Sequence, residues 1–178
     1  MADRRRRVRA AMRFDFSPEG KLIGRTSKYV CDFYSAVLAD PDASARVMLA
    51  AHELLENAAK YSSDGMGQLQ IELHDEEGAE FGVVRICSSN RARPDKLGDL
   101  QRFFEENRRC DDALALYDRL IARSATRNHG SGLGLARIRA EAEMDLSYSL
   151  KGDQVTITAQ ARVRVRDERW RGSHLNRL

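Results

Sequence analysis

The sequence predicts an α+β protein, a two-layer α/β sandwich whose mixed, mostly antiparallel sheet has helices on one face. Segments with the period-two alternation of strands and segments with the apolar spacing of helices follow one another along the chain. Their order is strand, two helices, two strands, helices, two strands. Residues 155–165 alternate apolar and polar side chains, so this last strand needs a sheet with one covered face. The 178 residues are enough for one domain with a full core.

The first 61 residues contain one predicted strand and two predicted helices. Residues 12–16 alternate as a short strand, and residues 22–38 carry apolar side chains at helical spacing. An Asp-Pro-Asp sequence ends that helix, because proline cannot continue it. Asp42 or Ser44 is expected to cap the next helix, which runs to about Tyr61.

The residues after Tyr61 add four predicted strands and three predicted helices. Its strands are marked by alternation and its turns by acidic and glycine-containing sequences. A glycine-rich loop precedes the third helix. The predicted strands are 67–74, 81–87, 146–150 and 155–165, and the first two helices lie near 96–107 and 111–122.

Composition excludes several classes of protein. The chain is 42% hydrophobic and 32% charged, as in a globular domain, and it has no apolar run long enough to span a membrane. The N-terminus lacks the apolar segment of a signal peptide. Three widely spaced cysteines without a Cys-x-x-Cys pair indicate free thiols in the cytoplasm and argue against a zinc site.

Arginines are concentrated at the two ends of the chain. We expect residues 1–11 to form a basic arm, residues 12–165 the domain, and residues 166–178 a basic tail. Such arms can bind nucleic acid through phosphate charge. A solvated tail, or a surface that docks an acidic protein, is favoured here, since no aromatic residues or base-reading motif accompany the arginines.

The segment Gly130-Ser131-Gly132-Leu133-Gly134-Leu135 is suited to holding a phosphate. Alternate glycines allow positive φ and close approach of the backbone to an anion. The residues that follow are strong helix formers, so the loop leads to unpaired N–H groups at a helix N-terminus. The alternative is a flexible loop before a helix.

A second pattern lies on the helix that ends near Tyr61. Glu53, Asn57 and Lys60 are spaced i, i+4 and i+7, so they share one side of it. A carboxamide oxygen suits Mg²⁺ beside nucleotide phosphates, and a carboxylate can accept a proton from an attacking hydroxyl. The alternative is a solvated face on which Glu56 and Lys60 form an ordinary ion pair.

Together the two patterns resemble the GHKL ATPase superfamily, which includes histidine-kinase catalytic domains and anti-sigma-factor serine kinases. Residues 52–61 are similar to its N-box, and residues 130–135 to its second glycine box. The resemblance implies a Bergerat-type fold that binds ATP and Mg²⁺, with Glu53 as general base and Asn57 as the Mg²⁺ ligand. It implies that Lys60 reaches a phosphate and that the glycine box wraps the triphosphate, through His129, Gly130, Ser131, Gly132, Leu133 and Gly134.

One superfamily element is missing. The adenine-reading Asp-x-Gly-x-Gly is replaced by Ser89-Asn90-Arg91-Ala92, where Asn90 could bond adenine. This departure, with the segments 114–117 and 145–148, resembles the SiaB-type protein kinases. That resemblance implies an ATP-dependent Ser/Thr kinase that binds and phosphorylates a small regulatory partner, such as a STAS-like antagonist, and pairs with a second copy through the sheet. The alternatives are a non-catalytic interaction module that has lost nucleotide binding, and a nucleic-acid role.

Overall fold

The computed structural model describes residues 7–17, 20–75, 79–124 and 132–166. The elements follow the predicted order of strands and helices. The strands are β1 (Arg7–Phe16), β2 (Ser62–Asp75), β3 (Phe81–Ala92), β4 (Asp145–Lys151) and β5 (Gln154–Arg164), and the helices are α1 (Gly20–Ser35), α2 (Pro41–Tyr61), α3 (Pro94–Arg109), α4 (Ala113–Ser124) and α5 (Leu133–Ala140).

The five described strands form one sheet in the order β1-β2-β3-β5-β4, and every pairing between them is antiparallel. On β2, Leu69, Ile71 and Leu73 are fully buried, while the residues between them are polar and half-buried. One face of the sheet is therefore covered and the other is open. The predicted α+β sandwich is confirmed.

Helix α2 lies against the middle of the sheet and supplies much of the core. Its buried residues recur every three or four positions and include Val47, Ala51, Leu54 and Ala58. The predicted N-cap is wrong by two residues, since Asp40 caps the helix by accepting a hydrogen bond from the Asp42 N–H at 2.9 Å. Proline at the first helical position fits, because its fixed φ is helical and its missing N–H has no partner there.

Strand β1 begins at Arg7, five residues before the predicted start, so the boundary expected after residue 11 falls inside a strand. The cause is Asp75, whose buried carboxylate bonds Arg7 Nε at 3.0 Å and Arg9 Nη1 at 2.8 Å. Arg9 also donates to the backbone carbonyl of Arg166, and Arg166 Nε donates to Leu38 O at 2.8 Å. The first and last described residues are thus held at one end of the sheet.

Two central strands are longer than their apolar alternation predicts. β2 starts at Ser62, directly after α2, with an irregularity between Ser62 and Gly67. β3 continues past Cys87 to Ala92, pairing Asn90 with Gly67 on one side and with Val155 on the other. The polar residues at the end of β3 are held by pairing with β2 and β5, which the apolar periodicity of a single strand does not indicate. None of the described helices is long and apolar enough to cross a membrane.

Candidate functional site

A cleft of about 90 Å³ opens where α2, β3, β5, α3 and the start of α5 meet. Its floor is formed by the C-terminal half of α2 and the adjoining ends of β3 and β5, and α3 forms one wall. It lies at the end of the sheet away from Asp75. Its lining includes Leu54, Asn57, Ala58, Tyr61, Ser88, Asn90, Ala92, Leu97, Leu100, Phe103, Gly132, Leu135, Val155 and Ile157.

Asn57 lines this cleft, and Glu53 lies one turn before it on the same side of α2, next to the cleft but not in its lining. Glu53 is 8% exposed, which is unusual for a carboxylate on a helix. Asn57 Nδ2 is buried and has no hydrogen-bond partner among the described residues. A buried amide without a partner is costly, so its place in the fold calls for a ligand or for rotation of the amide that presents Oδ1 instead.

Gly134 explains how these two side chains come together. A methyl group at Gly134 would lie 2.6 Å from Glu53 Oε2 and 3.6 Å from Asn57 Nδ2. The first turn of α5 therefore approaches α2 as closely as it does because residue 134 has no side chain. We call the space bounded by Glu53 Oε2, Asn57 Nδ2 and the Gly134 backbone the α2–α5 niche.

Arg137 is a site residue that sequence reasoning missed. Its Nη1 donates to Glu53 Oε1 at 3.0 Å, and its Nε donates to Glu141 Oε2 at 2.8 Å. The hydrogen bond to Glu141, opposed by burial and reinforced by the bond to Glu53, raises the pKa of Arg137 above its ordinary value. The spacing of Arg137 and Glu141 is an available signal for their pairing, but nothing local indicates a partner 84 residues away.

The start of α5 has the backbone conformation that the glycine pattern predicts. Gly132 has φ +67° and forms the N-cap, and a methyl group there would lie 2.8 Å from Phe103 Cδ2. Leu133 opens the helix and is half-buried. The predicted site residues His129, Gly130 and Ser131 lie outside the described residues.

Lys60 and Asn90 are placed differently from each other. Asn90 lines the cleft, and its Nδ2 donates to Arg91 O at 3.1 Å, which leaves Oδ1 available as an acceptor. Lys60 is exposed, with Nζ 5.3 Å from the centre of the Tyr61 ring, and it does not line the cleft. Under the alternative interpretation Glu56 would pair with Lys60, whereas the described contact of Glu56 Oε1 is with His52 Nε2 at 3.2 Å.

The basic side chains that line the cleft come from α3 and α4, and Lys60 of α2 is not among them. They are Lys96 and Arg102 on α3 and Arg123 on α4, where Arg123 bonds both oxygens of Glu106 at 3.1 and 3.3 Å. Helical spacing along α3 could have indicated that Lys96 and Phe103 share a face. Which face meets the cleft depends on packing, so sequence reasoning passed over these residues.

The residues of the niche fit a nucleotide-bound Mg²⁺ ion in their chemistry. Carboxamide and carboxylate oxygens are ligands that Mg²⁺ accepts, and exchanging the two ends of the Asn57 amide would turn Oδ1, in place of the unpartnered Nδ2, towards such an ion. The adjoining N-terminus of α5 offers N–H groups to phosphate.

The comparisons with known proteins bear on the fold. No protein-family model matches the chain, and no curated protein matches it. A chain in the crystal structure of the SiaB-SiaC complex from Pseudomonas aeruginosa is similar, with a TM-score of 0.59 and 19% sequence identity. The match covers 85% of this chain and 89% of that chain. At this identity the likeness shows that the two chains share a fold that spans nearly their full lengths.

Proposed function

We propose that this protein is an ATP-dependent Ser/Thr kinase that phosphorylates a small regulatory protein. The observation that carries the proposal is the convergence of Glu53 and Asn57 on Gly134, where an added methyl group would lie 2.6 Å from Glu53 Oε2 and 3.6 Å from Asn57 Nδ2. Phosphoryl transfer asks little covalent chemistry of a protein: it needs bound phosphates, a cation and a proton acceptor. The proposal assigns these roles to the N-terminus of α5, Asn57 and Glu53, which lie next to one another.

Each residue of the niche has a role in this proposal. Asn57 holds the cation through its carboxamide oxygen, and the backbone of Gly132 to Gly134 binds phosphate oxygens. Glu53 Oε2 accepts the proton that leaves the hydroxyl group of the partner. When bound, Mg·ATP supplies the phosphoryl group. Asn90 offers Oδ1 to the adenine amino group.

The proposal of a protein partner rests on the structural likeness and on the sequence. The similar chain comes from a complex of two proteins, SiaB and SiaC. A partner with a Ser or Thr acceptor, such as a STAS-like domain, fits a kinase of this size. Three free cysteines suit a reducing compartment, so we propose a cytoplasmic location.

Calorimetric titration of Mg·ATP into the purified protein tests the nucleotide site. We expect binding that Asn57→Ala weakens by at least about tenfold, since it removes the cation ligand. Gln160→Ala is the matched control, because it removes an exposed carboxamide on the open face of the sheet. Equal affinities of Asn57→Ala and wild type would contradict the assignment.

A non-catalytic interaction module is the second candidate. The observation that favours it is Ala92, which is buried and lines the cleft. At this position the superfamily has a glycine that makes room for adenine. If the wild-type protein binds no Mg·ATP at millimolar concentration, the kinase proposal fails and this candidate replaces it. Binding that leads to partner phosphorylation, and that Glu53→Ala abolishes, would exclude the module.

A further inference from the structure

The two oxygens of the Glu53 carboxylate have different surroundings. Oε1 accepts the 3.0 Å hydrogen bond from Arg137 Nη1. Oε2 is the oxygen closest to Gly134, at 2.6 Å from where a methyl group would sit, and it faces the niche. One oxygen is thus held by the protein while the other is directed at the place where chemistry is proposed.

We propose that Arg137 is a positioning residue, which fixes the Glu53 carboxylate so that Oε2 faces the niche. The inference rests on the proposed function, in which Oε2 accepts a proton. Arg137 is not among the residues that line the cleft, and its hydrogen bond to Oε1 links it to Glu53, so it acts through Glu53.

Arg137 is itself held in place. Glu141, one turn further along, bonds its Nε, so the guanidinium group is fixed on two sides by carboxylates on α2 and beyond α5. Tyr117 of α4 lies against this group, and burial together with the charge of Glu141 raises the pKa of Tyr117. A planar guanidinium group that is hydrogen-bonded to Glu141 through Nε and to Glu53 through Nη1 is fixed in one orientation. A positioning role requires such a fixed orientation.

Burial distinguishes this ion pair from an ordinary surface pair. The Glu53 side chain is 10% exposed, whereas the carboxylates that pair with Arg13 and Arg102 are 58% and 39% exposed. A buried carboxylate is stabilised by a cationic hydrogen-bond donor, and Arg137 provides one at Oε1 without occupying Oε2. The pair therefore leaves Oε2 open towards the niche.

The test uses Arg137→Gln, Arg137→Lys and the matched control Arg46→Gln. Arg46 also pairs with a glutamate, Glu143, but it lies near the start of α2, away from Glu53. For each variant we would measure the turnover of Mg·ATP hydrolysis and the calorimetric Kd for Mg·ATP. In hydrolysis, water takes the place of the partner's hydroxyl group, and Glu53 accepts its proton. We expect Arg137→Gln to lower turnover by about a hundredfold while Kd changes by less than about threefold, because misplacing the base spares binding.

Arg137→Lys should recover part of the lost turnover, because it restores the charge, and Arg46→Gln should turn over as wild type does. Urea unfolding without nucleotide supplies a second reading through Glu53→Gln, Arg137→Gln and the double variant. The two single shifts in midpoint should not add, since each removes the same pair.

Additive midpoint shifts, or wild-type turnover in Arg137→Gln, would overturn the inference while leaving the kinase proposal intact. A fall in affinity as large as the fall in turnover would also overturn it, because Arg137 would then be a binding residue. A wild-type protein that neither binds nor hydrolyses Mg·ATP would refute the proposed function, and the positioning role with it.

Discussion

Replacing Gly134 by alanine sets the higher helix propensity of alanine against the close contact between residue 134 and Glu53. Alanine favours a helix over glycine by about 1 kcal/mol, so propensity alone predicts a gain in stability. The added methyl would sit 2.6 Å from Glu53 Oε2, whereas ordinary contact starts at 3.4 Å, so the carboxylate must move by about 0.8 Å. Arg137 and burial oppose that movement, and overpacking of this kind costs about 1–3 kcal/mol.

The expected balance for Gly134→Ala is therefore a free energy of unfolding between unchanged and about 2 kcal/mol lower. The affinity for Mg·ATP should fall much further, because the methyl group fills the niche. Gly98→Ala on α3 is the matched control, since nothing lies within 4 Å of its added methyl, and it should gain stability without changing affinity.

Urea unfolding and calorimetric titration of the two variants measure both effects. If Gly134→Ala gained stability as Gly98→Ala does and bound Mg·ATP like the wild type, α5 would not approach α2 as described. The reasoning from the niche would then be refuted.

Three further predictions concern other parts of the molecule. Asp75→Asn should lower the free energy of unfolding by about 3 kcal/mol at pH 7, because it leaves Arg9 buried without its counter-charge. Burial raises the pKa of Asp75, but hydrogen bonds from Arg9 and Arg7 outweigh it and hold this pKa below its ordinary value. The stabilisation is thus present above the unfolded pKa and lost as pH falls through the folded one, so urea unfolding below about pH 4 should show a smaller difference between wild type and Asp75→Asn. Tyr34→Phe should cost about 1 kcal/mol in the same assay, since it removes the buried 3.0 Å bond to a backbone carbonyl; a stability gain would contradict this. Lys60→Ala should leave the Kd for Mg·ATP within about twofold of wild type because its side chain lies outside the cleft, and a tenfold loss would restore the phosphate role that the sequence suggested.

The sequence predicts the local parts of the site well, because their signals are local. The helix that carries Glu53 and Asn57 and the positive φ of Gly132 follow from periodicity and from the needs of a glycine-rich turn. Strand alternation likewise predicts the covered face of the sheet. These features depend on residues a few positions apart, where backbone geometry leaves few alternatives.

Features that depend on distant partners could not be predicted in this way. The early start of β1 depends on ion pairs with Asp75. The orientation of the Glu53 carboxylate depends on a hydrogen bond from Arg137, which is 84 residues away. Lys60 shares a helix side with Glu53 in projection, yet Asn57 and Tyr61 line the cleft while Lys60 is exposed to solvent. A single sequence shows which residues share a helix face but does not say which other element that face meets.

The hydrogen bond between Arg9 and Arg166 brings the first and last described parts of the chain close together, so that the chain nearly closes on itself. The guanidinium of Arg9 reaches the carbonyl of Arg166, so the two ends of the domain meet on the side of the sheet opposite the cleft. A short peptide joining them would cost little loop entropy, and the exposed turn at Gly152 is a place where the ring could be reopened. The domain is therefore suited to circular permutation, in which the order of its elements along the chain changes while the niche between α2 and α5 stays intact.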